Sequence, residues 1–84
     1  MHDDIKIKEE CGVFGIAENT SCDVASQVYF ALYALQHRGQ ESCGIAVNDR
    51  GVITHYRDLG LVYEVFNPER LASLGSGKMA IGHV

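Results

Sequence analysis

Cys11 stands between a charged run, Met1 to Glu10, and an apolar stretch punctuated by glycine, Gly12-Val13-Phe14-Gly15-Ile16. A thiol attacks carbon only as its thiolate, so it needs a base or an electropositive setting beside it. An α-amino group on the same residue would serve, because its ordinary pKa of about 7.7–8.0 leaves roughly a tenth of it as free base at pH 7. Here that nitrogen is locked into the Glu10–Cys11 amide, which has no basicity. The chemistry therefore points to residues 1–10 as a propeptide whose removal makes Cys11 the N-terminal residue. The plainer alternative is a small buried hydrophobe opening a strand.

A second concentration of polar chemistry lies at Leu35-Gln36-His37-Arg38-Gly39-Gln40-Glu41-Ser42, between a predicted helix and a predicted strand, a common place for a site. Arg38 offers a bidentate fork for a carboxylate and His37 a base. The structural alternatives are a cation placed against the helix dipole and a glycine that only caps the helix. Gly75-Ser76-Gly77-Lys78 invites a phosphate-loop reading and fails it. Ala72 stands where the first glycine is required, and Met79 follows the lysine in place of Ser or Thr. His55 reads as a strand side chain, and His83 lies on the last strand of the chain.

These residues need elements to hold them. Val13, Phe14 and Ile16 predict a buried strand over Cys11 to Ala17, with Gly12 and Gly15 allowing close approach. Thr20-Ser21-Cys22-Asp23 reads as an N-cap signal for a helix from about Ser21 to Gln36, with Gly39 as its stop. Val24, Val28, Leu32 and Leu35 form its apolar stripe. Tyr29, Phe30 and Tyr33 make it apolar beyond one face, which predicts cover on two sides. Cys43, Ile45 and Val47 alternate as a strand, Asn48-Asp49-Arg50-Gly51 is turn chemistry, and Val52 to Tyr56 returns antiparallel. A short helical turn is expected around Leu61 to Phe66. A second follows Asn67-Pro68 to about Leu74, and Lys78 to Val84 forms a new strand. That strand meets no turn, cap or charged tail, so the chain reads as a fragment whose last strand exposes an unpaired edge.

Composition narrows the function classes. The 84 residues carry 46% hydrophobic and 21% charged side chains, the balance of a globular core within one domain. A formal charge of −4 disfavours nucleic acid or anionic membrane as a partner. No apolar run reaches a membrane span and the first ten residues lack a signal-peptide centre, so a cytoplasmic location is expected. Cys11, Cys22 and Cys43 are odd in number and include no Cys-x-x-Cys pair, which argues against structural disulfides and against a metal or cluster site within the chain.

Three segments together, Cys11-Gly12-Val13-Phe14-Gly15-Ile16, Leu35 to Ser42 with Gly44-Ile45, and Ala80-Ile81-Gly82-His83-Val84, resemble in order and spacing the start of the amidophosphoribosyltransferases. The charged decapeptide resembles the propeptide of one branch of that family. The resemblance implies an α+β fold, the αββα sandwich of N-terminal-nucleophile hydrolases, with only its N-terminal portion present (residues 11–84, part of a type 2 glutamine amidotransferase domain). It implies that Cys11 attacks the glutamine side-chain amide with its own α-amine as base. It also places Arg38 and Gly39 in the glutaminase site, releasing ammonia for the first step of purine synthesis.

Other parts of the family pattern lie beyond Val84: the arginine that clamps the substrate carboxylate, the oxyanion-hole Asn-Gly pair, and the phosphoribosyltransferase domain that takes phosphoribosyl pyrophosphate. Mg2+ and a 4Fe–4S cluster are expected only in the complete enzyme, as is a homo-oligomer, and Cys22 and Cys43 do not match the cluster ligands. The nearest rivals are other class II amidotransferases such as glucosamine-6-phosphate synthase, which usually read Tyr-Arg-Gly-Tyr-Asp where this chain has His37-Arg38-Gly39-Gln40-Glu41. A non-catalytic fragment with a structural Cys11 is the alternative from another class.

Overall fold

The computed structural model describes residues 12–36 and 41–84. Four strands, β1 (Val13–Cys22), β2 (Ser42–Asp49), β3 (Val52–Leu59) and β4 (Gly77–His83), form one antiparallel sheet in the order β1-β4-β2-β3. Helix α1 (Val24–Leu35) packs across one face, and the short helices α2 (Val62–Val65) and α3 (Pro68–Leu74) close the side of that layer nearest β3.

The alternation read in the sequence decides which face α1 covers. Cys43, Ile45 and Val47 of β2 point into the layer beneath α1 with Ala80 of β4. Val24, Ala25, Val28 and Leu32 meet them from the helix, and Val62, Phe66 and Leu74 complete the core. Gly82 is what lets α1 lie so low on the sheet. A Cβ there would stand 2.6 Å from Val28 Cγ1 and 2.7 Å from Leu32 Cδ1.

Several boundaries differ from the sequence expectation. The first strand runs on to Cys22, and α1 begins at Val24 rather than Ser21. Asp23 is the cap: its carboxylate accepts from the Ser26 amide at 3.1 Å and from the Ser26 hydroxyl at 2.8 Å. Residues read as the first turn of helix are instead held in the sheet by the pairing of Cys22 with Gly77. The helix stops at Leu35 with Gln36 extended (φ −67°, ψ 151°), three residues short of Gly39. Phe30 and Tyr33 remain exposed, so among the described residues α1 is covered on one side only.

The largest difference concerns β4. It was expected to present a free edge, yet it lies inside the sheet, paired with β1 from Val13↔His83 to Ala17↔Met79 and with β2 from Gly44↔His83 to Asn48↔Met79. The edges are β1 and β3. Both local signals downstream hold: Asn67 Oδ1 caps α3 by accepting from the Arg70 amide at 2.7 Å with Pro68 at the first position, and Arg50 and Gly51 turn the β2–β3 hairpin with φ of 55° and 87°.

Among the described residues no element covers the face of the sheet opposite α1, which is bare. Val13, Met79, Ile81 and Ile53 stand on it largely exposed, beside His55, Arg57 and His83. No helix of the described residues is long and apolar enough to cross a membrane.

Candidate active site

Cys11, His37, Arg38 and Gly39, the residues singled out for chemistry, lie outside the described residues. Gly12, bonded to Cys11, and Gln36, bonded to His37, are described. Gly12 exchanges two backbone hydrogen bonds with Val84: its N–H donates to the Val84 carbonyl at 3.2 Å and its carbonyl accepts from the Val84 amide at 2.9 Å. A Cβ on Gly12 would meet Val84 Cγ2 at 3.1 Å and Leu35 Cβ at 3.4 Å. The start of β1, the C-terminal end of α1 and the end of β4 therefore meet at one point. Small size at Gly12 allows it.

Gln36 and Glu41, on either side of residues 37–40, both bond to one connector, Gly60-Leu61-Val62. Gln36 donates its backbone N–H to the Leu32 carbonyl at 2.8 Å, and its side-chain Oε1 accepts from the Val62 amide at 3.1 Å. On the other side, the Glu41 carbonyl accepts from the Gly60 amide at 2.8 Å. The first amides of a helix have no intrahelical acceptor. At α2 the Leu61 amide is satisfied by Glu64 Oε1 at 3.0 Å and the Val62 amide by Gln36. Gly60, at φ 127°, takes a backbone conformation that residues with a Cβ rarely adopt. The sequence reading named Gln36 only as one of several polar residues. Its partner lies 26 positions away, and no local pattern reveals it.

His83 is placed on the bare face, its imidazole over Gly44, in a shallow apolar depression lined also by Val13, Ala46, His55 and Ile81. His55 is an exposed strand side chain, as its pattern predicted. Gly77, read within a failed phosphate loop, is buried at the start of β4, where a Cβ would collide with the Asn48 carbonyl.

The other cysteines are built for packing. Cys43 is fully buried with its thiol donating to the Gly60 carbonyl at 3.7 Å, and burial, reinforced by the nearby Asp58 carboxylate, pushes its pKa up from 9.0 to about 11. Cys22 is half-buried and accepts from Gln27 Nε2 at 3.6 Å. Asp58 titrates below the usual carboxylate range because it accepts from the Leu59 amide at 2.7 Å and the Tyr56 hydroxyl at 3.0 Å, with Arg70 adding to the effect. The Arg70 guanidinium lies 3.6 Å over the Tyr56 ring, so this group braces α3 against β3. Among the described residues no three of His, Cys, Asp and Glu gather as a metal site would require.

No family model matches the chain. The amidophosphoribosyltransferase of Methanothermobacter thermautotrophicus is 52% identical over 81 residues, 94% of this chain and 17% of the relative. That of Mycobacterium tuberculosis is 53% identical over 76 residues, 90% of the chain and 14% of the relative. That of Staphylococcus aureus is 44% identical over 78 residues, 93% and 15%. A solved structure described as the allosteric regulatory enzyme of purine biosynthesis superposes with a TM-score of 0.71 at 43% identity, covering 86% of this chain and 15% of the other. The chain thus spans between 14 and 17% of the length of these curated relatives.

Proposed function

Over the segment it spans, the chain belongs to the amidophosphoribosyltransferase family, and from that premise we propose that it is the nucleophile-bearing part of a glutaminase. Residues 1–10 are a propeptide, and their removal frees the α-amine of Cys11. That amine takes the thiol proton, and the sulfur attacks the side-chain carbonyl carbon of glutamine. As the tetrahedral intermediate collapses, the carbon–nitrogen bond breaks and ammonia leaves with a proton returned by the amine. A γ-glutamyl thioester remains. Water then adds to the thioester carbonyl, the carbon–sulfur bond breaks, and glutamate is released with the thiol restored. Arg38 and Gly39 belong to the same site.

The observation that carries this reading is the junction of Gly12, Leu35 and Val84, which brings the chain next to Cys11 against the end of the helix that leads to Arg38. Identities of 44 to 53% to amidophosphoribosyltransferases favour that activity over glucosamine-6-phosphate synthase. In the complete enzyme the ammonia is consumed on phosphoribosyl pyrophosphate by a domain outside this chain. Mg2+ and, in the propeptide-bearing branch, the 4Fe–4S cluster belong there too. The complete enzyme is a cytoplasmic homo-oligomer. The bare face of the sheet, with Val13, Met79 and Ile81 exposed, is the surface on which the second sheet of the sandwich packs.

The test is N-terminal sequencing of active complete protein together with a Cys11→Ala variant. The active form should begin Cys-Gly-Val, and the variant should lose glutamine use while keeping ammonia-dependent synthesis. Full activity in protein that retains Met1, or glutamine use by the variant, overturns the reading.

A further inference from the structure

We infer that the layer covering the bare face of the sheet sets a carboxylate over Gly44, between Arg57 and His83, and apolar side chains over Met79 and Ile53. The occupant is the remainder of the complete chain, since these 84 residues span only 14 to 17% of the relatives' length. The inference rests on the packing of a second sheet proposed above and adds the chemistry that sheet must present. Directly paired residues of antiparallel strands project to the same side of a sheet. Val13, His83, Gly44 and Arg57 therefore form one row across the bare face, and Ala17, Met79, Asn48 and Ile53 form another, nearer the β2–β3 turn. The first row carries the cationic chemistry. The second offers mainly apolar surface.

In the first row the groups converge. The His83 Nε2 lies 2.6 Å from the place a Cβ on Gly44 would take and the Arg57 Cβ lies 2.9 Å from it, so the imidazole leans over bare backbone toward the base of the arginine. Among the described residues neither side chain has a hydrogen bond or ion pair. Asp58 follows Arg57 in the chain but lies on the α1 side, paired with Cys43 and accepting from the Tyr56 hydroxyl. Arg57 and His83 are both exposed as the sheet stands, and water supplies their partners. A second sheet packs about 10 Å away and removes that water. A guanidinium stays charged and offers only donors, and a buried charge without a partner is strongly unfavourable. Arg57 stands on edge strand β3, where its long stem could carry the charge round the edge. His83 has no such way out, because β4 lies between β1 and β2. A carboxylate seated over Gly44 satisfies both, one oxygen accepting from the imidazole N–H and the other from the guanidinium. Gly44, with no side chain, leaves room for it.

The experiment is thermal unfolding of the complete protein. Arg57→Met keeps the apolar stem and removes the charge, leaving the carboxylate buried without its partner, and should lower the midpoint by at least about 5 °C. Arg57→Lys keeps a positive charge and should melt between the parent and Arg57→Met. Under a purely apolar cover Arg57→Met melts at or above the parent. That result overturns the inference, as does Arg57→Lys melting no higher than Arg57→Met. Should Arg57→Met not accumulate as folded protein, a crystal structure of the unsubstituted complete protein decides. A carboxylate oxygen of the chain within about 4 Å of the Arg57 guanidinium supports the inference, and only water or a free anion at that point overturns it. Ile81→Asp keeps the two ideas apart. If it lowers the midpoint while Arg57→Met does not, the face is covered and only the carboxylate falls. If neither variant lowers it, the second sheet falls as well.

Discussion

His83 and Gly44 face each other across the β2–β4 pair so closely that the imidazole Nε2 lies 2.6 Å from the place a Cβ on Gly44 would take. The imidazole is exposed and can swing aside. The Arg57 Cβ, 2.9 Å from the same place, is fixed to the β3 backbone and cannot. Gly44→Ala is therefore expected to lower stability by about 1–3 kcal/mol, the usual range for overpacking. Gly82→Ala should be at least as harmful, because it pushes Val28 and Leu32, and with them α1, off the sheet. Urea unfolding of the complete protein checks both, and an unchanged midpoint for Gly82→Ala would contradict the packing described.

Thiol chemistry distinguishes the cysteines. Cys43, buried and with its pKa raised to about 11, should resist alkylation at pH 8 under native conditions, whereas half-buried Cys22 should label. The linkage has a definite sign. From pH 9 upward the unfolded chain loses the Cys43 proton while the folded chain keeps it, so the unfolded state binds fewer protons and stability falls with rising pH until about pH 11. Cys43→Ala should flatten this alkaline slope in a pH series of unfolding midpoints. A slope unchanged by the substitution would remove Cys43 as its cause.

The bare face makes a prediction whose sign depends on context. Ile81 is 59% exposed on it. In the 84-residue chain alone, Ile81→Asp should raise solubility and reduce self-association, because it charges an apolar surface. In the complete protein the same change should cost stability, with about 1.5–3 kcal/mol from the lost burial of isoleucine alone if a second sheet covers that face. Sedimentation of the short chain and melting of the complete one read the two arms. Equal tolerance in both would mean the face stays uncovered.

The 84-residue chain should release no glutamate above a Cys11→Ala blank, even after removal of residues 1–10. Each oxyanion donor is worth about 2.7–4 kcal/mol in acyl transfer, and by resemblance those donors and the carboxylate clamp lie beyond Val84. With one sheet face bare, the chain alone is also expected to aggregate or give poorly dispersed amide spectra. Turnover by a well-dispersed chain would place the missing parts of the site within it.

What was legible in the sequence was whatever a few neighbouring residues decide. Asn48-Asp49-Arg50-Gly51 turned the hairpin, Asn67-Pro68 opened α3, and the alternation of Cys43, Ile45 and Val47 named the buried face. The start of α1 was misplaced because Ser21 and Cys22 have capping chemistry, yet the pairing of Cys22 with Gly77 overrides it. The position of β4 escaped for the same reason, since a run of apolar residues does not state its neighbours. The hydrogen bond between Gln36 and Val62 was hidden by a separation of 26 residues. Cys11, Arg38 and Gly39 were named from chemistry and resemblance and lie outside the described residues, so their part of the site rests on their flanks.

Because β4 is, among the described residues, the one strand that β1 pairs with, β1 has no place in the sheet until β4 has been made. At about 5–20 residues per second, several seconds of synthesis separate the two. During that interval the β2–β3 hairpin can zip up on local contacts, but the strand that follows Cys11 waits unpaired. Arrival of Met79 to Val84 then fixes both neighbours at once, β1 on one side and β2 on the other.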